Sequence, residues 1–95
     1  ESFINKKEAK AIGKIVKMAT KKRYELGKGF FDADEVIFTD VDINGYSLHW
    51  TFVVVPGLSD QAIIGADFFQ RWKIKLAPET ERIILDPKAL RLKLV

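Results

Sequence analysis

At 95 residues, 47% of them hydrophobic, the chain has the material for one small core and none of the low-complexity sequence of a disordered tail. Sixteen basic against 13 acidic residues leave a net charge of only +3, and the absence of cysteine excludes disulfides and thiolate metal sites. No stretch approaches the roughly 18 apolar residues that a membrane-spanning helix needs, so no membrane partner is expected.

The first residue is Glu1 and the single methionine is Met18, so residues upstream of Glu1 are expected to have been cut off or left out. No signal peptide is visible; compartment stays open, with the cytoplasm as the default. Asn5 can cap a helix over Lys6-Lys7-Glu8-Ala9-Lys10-Ala11-Ile12, with Gly13 as the left-handed residue that ends it. Alternation over residues 14–18, then Ala19-Thr20-Lys21-Lys22, then Arg23-Tyr24-Glu25-Leu26 predicts a hairpin with a basic tip. Gly27-Lys28-Gly29 and Asp32-Ala33-Asp34 bracket Phe30-Phe31, which predicts a bending connection.

Asn44-Gly45 suits a type I′ turn, and a two-residue closure sets the register. Ile43 then faces Tyr46, Val41 faces Leu48, Thr39 faces Trp50 and Ile37 faces Phe52, so one side of the ribbon is almost wholly apolar. The other side pairs Asp42 with Ser47 and Asp40 with His49. After a loop at Pro56-Gly57, Ala62-Ile63-Ile64 reads as a buried strand, and Gly65 as a sharp turn. Asp67 is placed to cap or start a helix through Phe68-Phe69-Gln70-Arg71. Trp72, Ile74 and Leu76 alternate with Lys73 and Lys75 as a half-buried strand should. Pro78-Glu79-Thr80-Glu81 makes a turn, Ile83-Ile84-Leu85 a returning strand, Asp86-Pro87 a break, and residues 90–95 a last strand.

Helix, hairpin, Asn-Gly hairpin, Val54-Val55-Pro56-Gly57, Ile63-Ile64-Gly65, Ala66-Asp67-Phe68-Phe69 and Lys73-Ile74-Lys75-Leu76 follow one another in an order that resembles a retropepsin-like aspartic protease subunit from just after its catalytic loop. Ser2-Phe3-Ile4-Asn5 looks like the segment immediately downstream of that family's Asp-Thr/Ser-Gly-Ala loop. The resemblance implies a mostly β fold, a small retropepsin-like barrel with one or two short helices, as a single N-terminally truncated domain over residues 1–95. It also implies a homodimer with a second copy, each subunit giving one aspartate to a dyad that activates water against a peptide or protein substrate. No Asp-Thr-Gly or Asp-Ser-Gly occurs in residues 1–95, and the resemblance sets the expected aspartate a few residues before Glu1. No catalytic residue is therefore expected within the chain, which as it stands should not cleave peptides.

Other roles carry over by position. Met18, Ala19, Thr20, Lys21 and Lys22 would correspond to the flap tip that closes over substrate, although family flaps usually carry glycine there; a plain solvated turn is the alternative. Ile63, Ile64 and Gly65 would pack behind the active-site loop, or are simply core strand and turn. An isologous dimer contact would bury the edge at residues 90–95. Asp40, Asp42, Asp60 and Asp67 lack the following small residue and glycine of a catalytic turn and read as exposed, capping or paired carboxylates.

No metal site or cofactor is expected, because His49 is the lone histidine. Ser2, Ser47 and Ser59 lie in no Gly-x-Ser-x-Gly elbow. Trp50, Trp72, Tyr24 and Tyr46 could stack on nucleic-acid bases or be core. Two other functions stay open: a non-catalytic relative that binds peptide in its cleft, and a basic β-module that binds nucleic acid through residues 6–23, the less favoured of the two.

Overall fold

The computed structural model describes residues 1–27, 29–77 and 82–84. The chain is mostly β, 57% strand, with two short helices. It divides into two compact units, Glu1–Ile64 and Gly65–Val95.

The first unit is a five-stranded open sheet in the order β2-β3-β4-β1-β5. Its elements are β1 (Phe3–Asn5), α1 (Lys6–Ile12), β2 (Val16–Leu26), β3 (Gly29–Ile43), β4 (Tyr46–Val55) and β5 (Ala62–Ile63). The Asn-Gly turn forms as the sequence predicts, with Asn44 at φ 50° and Gly45 at φ 82°. Its register brings Ile43 to Tyr46, Val41 to Leu48, Thr39 to Trp50 and Ile37 to Phe52. Past that ribbon β4 turns from alternating to continuously apolar, because Phe52, Val53, Val54 and Val55 enter the part of the sheet that is covered on both faces. On one face Phe3, Tyr24, Ala33, Val36, Val53 and Val55 cluster. On the other, Ile4, Ala9, Ile37, Phe52 and Val54 do.

Helix α1 starts where the sequence sets it, and the Asn5 side chain accepts from the Lys7 N–H at 2.8 Å. Gly13 corrects an expectation. Its φ of 176° is ordinary extended backbone, and what is tight there is space: a Cβ would stand 3.3 Å from Ile37 Cδ1.

The expected hairpin between residues 14 and 26 does not form. Val16–Leu26 is one strand, paired antiparallel with β3 from Val16↔Val36 to Leu26↔Gly29. Between Lys17↔Glu35 and Lys22↔Ala33 the register slips, so Met18, Ala19, Thr20 and Lys21 stand opposite the single residue Asp34. This is a wide bulge in an edge strand, and it bends an edge that would otherwise offer a straight template for pairing. Ala-Thr-Lys-Lys has no residue whose chemistry demands a turn, so the strand runs on through it. For the same reason β3 continues through Asp32-Ala33-Asp34, whose aspartates pair with Arg23 and Lys17 on the neighbouring strand.

In the second unit α2 (Ala66–Arg71) is followed by a two-stranded ladder of β6 (Lys75–Ala77) and β7 (Arg82–Ile84). Gly65 is the N-cap at φ −79°, a conformation open to any residue, so the sharp glycine turn expected there is absent. Asp67 lies inside the first turn and its carboxylate accepts from the Phe68 N–H at 3.1 Å. The strand expected from Trp72 begins only at Lys75, because Lys73 adopts φ 57° and ends the helix. The Lys73 N–H bonds the Gln70 carbonyl and the Ile74 N–H the Phe69 carbonyl, the two bonds of a Schellman cap. The turn at residues 78–81, Leu85, the break at 86–87 and the last strand at 90–95 lie outside the described residues.

Candidate functional site

Strand β1 is an inner strand of the first unit's sheet, between β4 and β5. It runs parallel to β4, with Phe3 opposite Val53, and antiparallel to β5, with Phe3 opposite Ile63. One position further out on each strand are Ser2 and Ile64, so the segment that enters β1 lies beside the Ile63-Ile64 pair.

Ser2 is held firmly. It is 1% exposed, its Oγ accepts from Trp50 Nε1 at 2.9 Å and its carbonyl accepts from the Val53 N–H at 2.8 Å. A buried hydroxyl and indole N–H that satisfy one another fix the backbone at this point. Asn5 secures the other end of β1. Its Nδ2 donates to the Leu58 carbonyl at 2.6 Å and its N–H to the Gln61 carbonyl at 3.0 Å, tying the loop between β4 and β5 to the strand. The apolar run Ile63-Ile64 packs on both clusters, Ile63 on one face and Ile64 on the other.

Met18, Ala19, Thr20, Lys21 and Lys22 do not form a tip. They lie within β2, four of them in the bulge. The hairpin that does exist joins β2 to β3, and its turn contains Gly27 at φ 63°. The sequence signal for it was the pair of glycines at 27 and 29, which supplies the positive φ that a tight turn needs and that Thr-Lys cannot. Beside the turn, Phe30 is 67% exposed while Phe31 packs on the cluster around Phe3.

Asp40 Oδ1 is 2.6 Å from His49 Nδ1 on the exposed side of the ribbon, as their facing positions require. Asp42 and Asp60 are exposed, and Asp67 serves α2. Among the described residues no group of three or more His, Cys, Asp or Glu is arranged to hold a metal, and no helix is long and apolar enough to cross a membrane.

Half of the cations in the basic stretch are ion-paired. Lys6 pairs with Glu35 at 3.1 Å, Lys17 with Asp34 at 3.6 Å, Lys22 with Glu1 at 3.6 Å and Arg23 with Asp32 at 3.3 Å. Lys7, Lys10, Lys14 and Lys21 are exposed and carry no ion pair among the described residues. Of the aromatics, Tyr24 and Trp72 are buried and Trp50 is partly buried, positions of core packing rather than open stacking platforms.

Comparison with protein-family models, with curated proteins and with solved structures returned no match.

Proposed function

We propose that this chain is the larger part of a retropepsin-like aspartic endopeptidase subunit, and that its open sheet belongs to that family's small barrel. The catalytic aspartate would be supplied by an Asp-Thr/Ser-Gly loop just ahead of Glu1, and a second copy would supply the other half of the dyad. One observation carries the reading: β1 is enclosed by a parallel β4 and an antiparallel β5, so a loop entering β1 at Ser2 would emerge beside Ile63 and Ile64. That is the relation the family needs between its catalytic loop and the strand that backs it. The hairpin of β2 and β3, with glycine in its turn, supports the reading further, since it could serve as the flap that residues 18–22 do not form.

In such a dimer two carboxyls share one proton because like charges a few ångströms apart cannot both ionise cheaply; one takes a proton from water while the other polarises the peptide carbonyl. This chain's own part is to hold the loop, through the buried Ser2 and its bond to Trp50, and to cover the bound peptide with the β2–β3 hairpin. Residues 1–95 by themselves are inactive on this reading, because Asp40, Asp42, Asp60 and Asp67 serve other ends.

A non-catalytic relative that binds peptide is the second reading, favoured by the absence of an Asp-Thr/Ser-Gly in residues 1–95. A nucleic-acid module is less supported, since half of the cations it would use face carboxylates. The test is to sequence the reading frame preceding Glu1 and assay the extended chain for peptide cleavage at mildly acidic pH, beside its Asp→Asn variant. Cleavage that disappears in the variant is the expected result. An upstream segment without the aspartate, or an extended chain that never cleaves, removes the endopeptidase reading and leaves peptide binding.

A further inference from the structure

The β2–β3 hairpin is anchored close to its turn, and the anchor stands on β1 and on the residue at its entrance. Phe3 meets Tyr24 of β2 edge-on, with ring centroids 5.7 Å apart, and Phe31 of β3 in the same manner at 5.6 Å. Tyr24 and Phe31, directly opposite in the ladder, stack at 5.6 Å. Phe3 and Tyr24 are 5% and 7% exposed, so these rings are core and not surface. Lys22 joins them from outside: its Nζ lies 5.3 Å from the centre of the Tyr24 ring and 3.6 Å from Glu1 Oε1. One ammonium thus bridges a carboxylate ahead of β1 and the face of a ring on β2. Leu26, next to the turn, packs on the same cluster, while Phe30 is 67% exposed.

We propose that Lys22 and Tyr24 are positioning residues: with Phe3 and Glu1 they set how the turn end of the hairpin rests on β1, and hence how its glycine turn stands over a peptide at the entrance to β1. The functional half of this inference rests on the endopeptidase reading; the tie between hairpin and strand does not. Lys22 acts here through the hairpin, as one end of a clasp, and touches no substrate. The division of labour follows from burial. The three rings hold the hairpin near its turn whatever the solvent, whereas the exposed Lys22 contacts are individually weak and bias the hairpin's posture without deciding whether it folds.

The test uses Lys22→Met and Lys22→Arg, both at an exposed position that leaves the ring cluster intact. In this chain, Lys22→Met is expected to speed hydrogen exchange at the Gly29, Phe30 and Phe31 amides about five-fold, with β4 amides unchanged. Lys22→Arg is expected to stay within about two-fold of the parent, because a guanidinium can make both contacts. In the extended, aspartate-bearing chain, Lys22→Met should raise KM for a peptide about five-fold with kcat within about two-fold, and Lys22→Arg should restore it. Unchanged exchange in Lys22→Met, or a rise spread equally over β4, overturns the inference whatever the cleavage assay gives. Faster exchange with an unchanged KM in an active enzyme overturns the positioning role. Faster exchange in an extended chain that never cleaves supports the tie and removes only the endopeptidase reading.

Discussion

Lys73 carries a backbone conformation that side chains with a Cβ rarely adopt, at φ 57°, because the Schellman cap of α2 needs a left-handed residue at that point. Glycine there would relieve the crowding at the cost of a more flexible unfolded chain, so Lys73→Gly should stabilise the protein by about 0.5–1 kcal/mol. An increase in the urea unfolding midpoint with an unchanged slope would bear this out; a decrease would show that the lysine side chain contributes more than its backbone costs. Gly13 presents the opposite case. Its backbone is unremarkable and its lack of a Cβ is what matters, since Ile37 closes over it. Neither position could be read from sequence: a lysine gives no sign of a left-handed backbone, and a glycine after a helix looks the same whether it serves a turn or a close approach.

At the scale of elements, the β3–β4 ribbon was legible because one dipeptide has a conformational requirement that few others meet. Asn44-Gly45 fixed the turn, the turn fixed the register, and the register brought Asp40 against His49. Gly45→Ala puts a Cβ on a residue at φ 82° and should cost about 1 kcal/mol or more, read from thermal or urea unfolding. Asn44→Ala would be expected to act in the same direction through the same requirement. The β2–β3 hairpin was misread for want of such a constraint. Lys-Lys looks like a solvated tip, yet lysine is equally content on the exposed side of an edge strand, and only the long ladder with β3 decides between them. Asn5 shows how local chemistry can be read correctly and still tell only part: its cap on α1 was evident, but its hold on the Leu58 and Gln61 carbonyls depends on strands more than fifty residues away in sequence.

For the first unit as a whole, the decisive property is a sheet covered on both faces near β1 and on one face along the ribbon. Ile37 and Phe38 are neighbours in the chain and fall on opposite sides of that boundary, at 0% and 56% exposed. Ile37→Ala should therefore cost about 2–5 kcal/mol, while Phe38→Ala should change stability by less than about 1 kcal/mol. Equal losses from the two variants in urea unfolding would contradict the assignment of faces. Of the candidate residues, Ile63-Ile64 was legible as an apolar segment and flanks the entrance to β1, while residues 18–22, read as a tip, run within β2. Short-range signals gave the segment; only the sheet order, which brings the first strand between the fourth and the fifth, gives it its neighbour.

The placing of β1 also governs the order in which the protein can assemble. Phe3 pairs with Val53 and with Ile63, fifty and sixty positions further along the chain. As a polypeptide emerges from the ribosome, the β2–β3 and β3–β4 hairpins can close as soon as their own residues are out, because each joins neighbours through a short turn. Strand β1 must wait for residues 53–55 of β4 before it can pair at all, and its other edge stays open until Ala62 and Ile63 have been synthesised. The residues that enter β1 are thus the first of this segment to be made and among the last to be set in place, so a folding defect at β5 should surface first as disorder around Ser2, at the opposite end of the sequence.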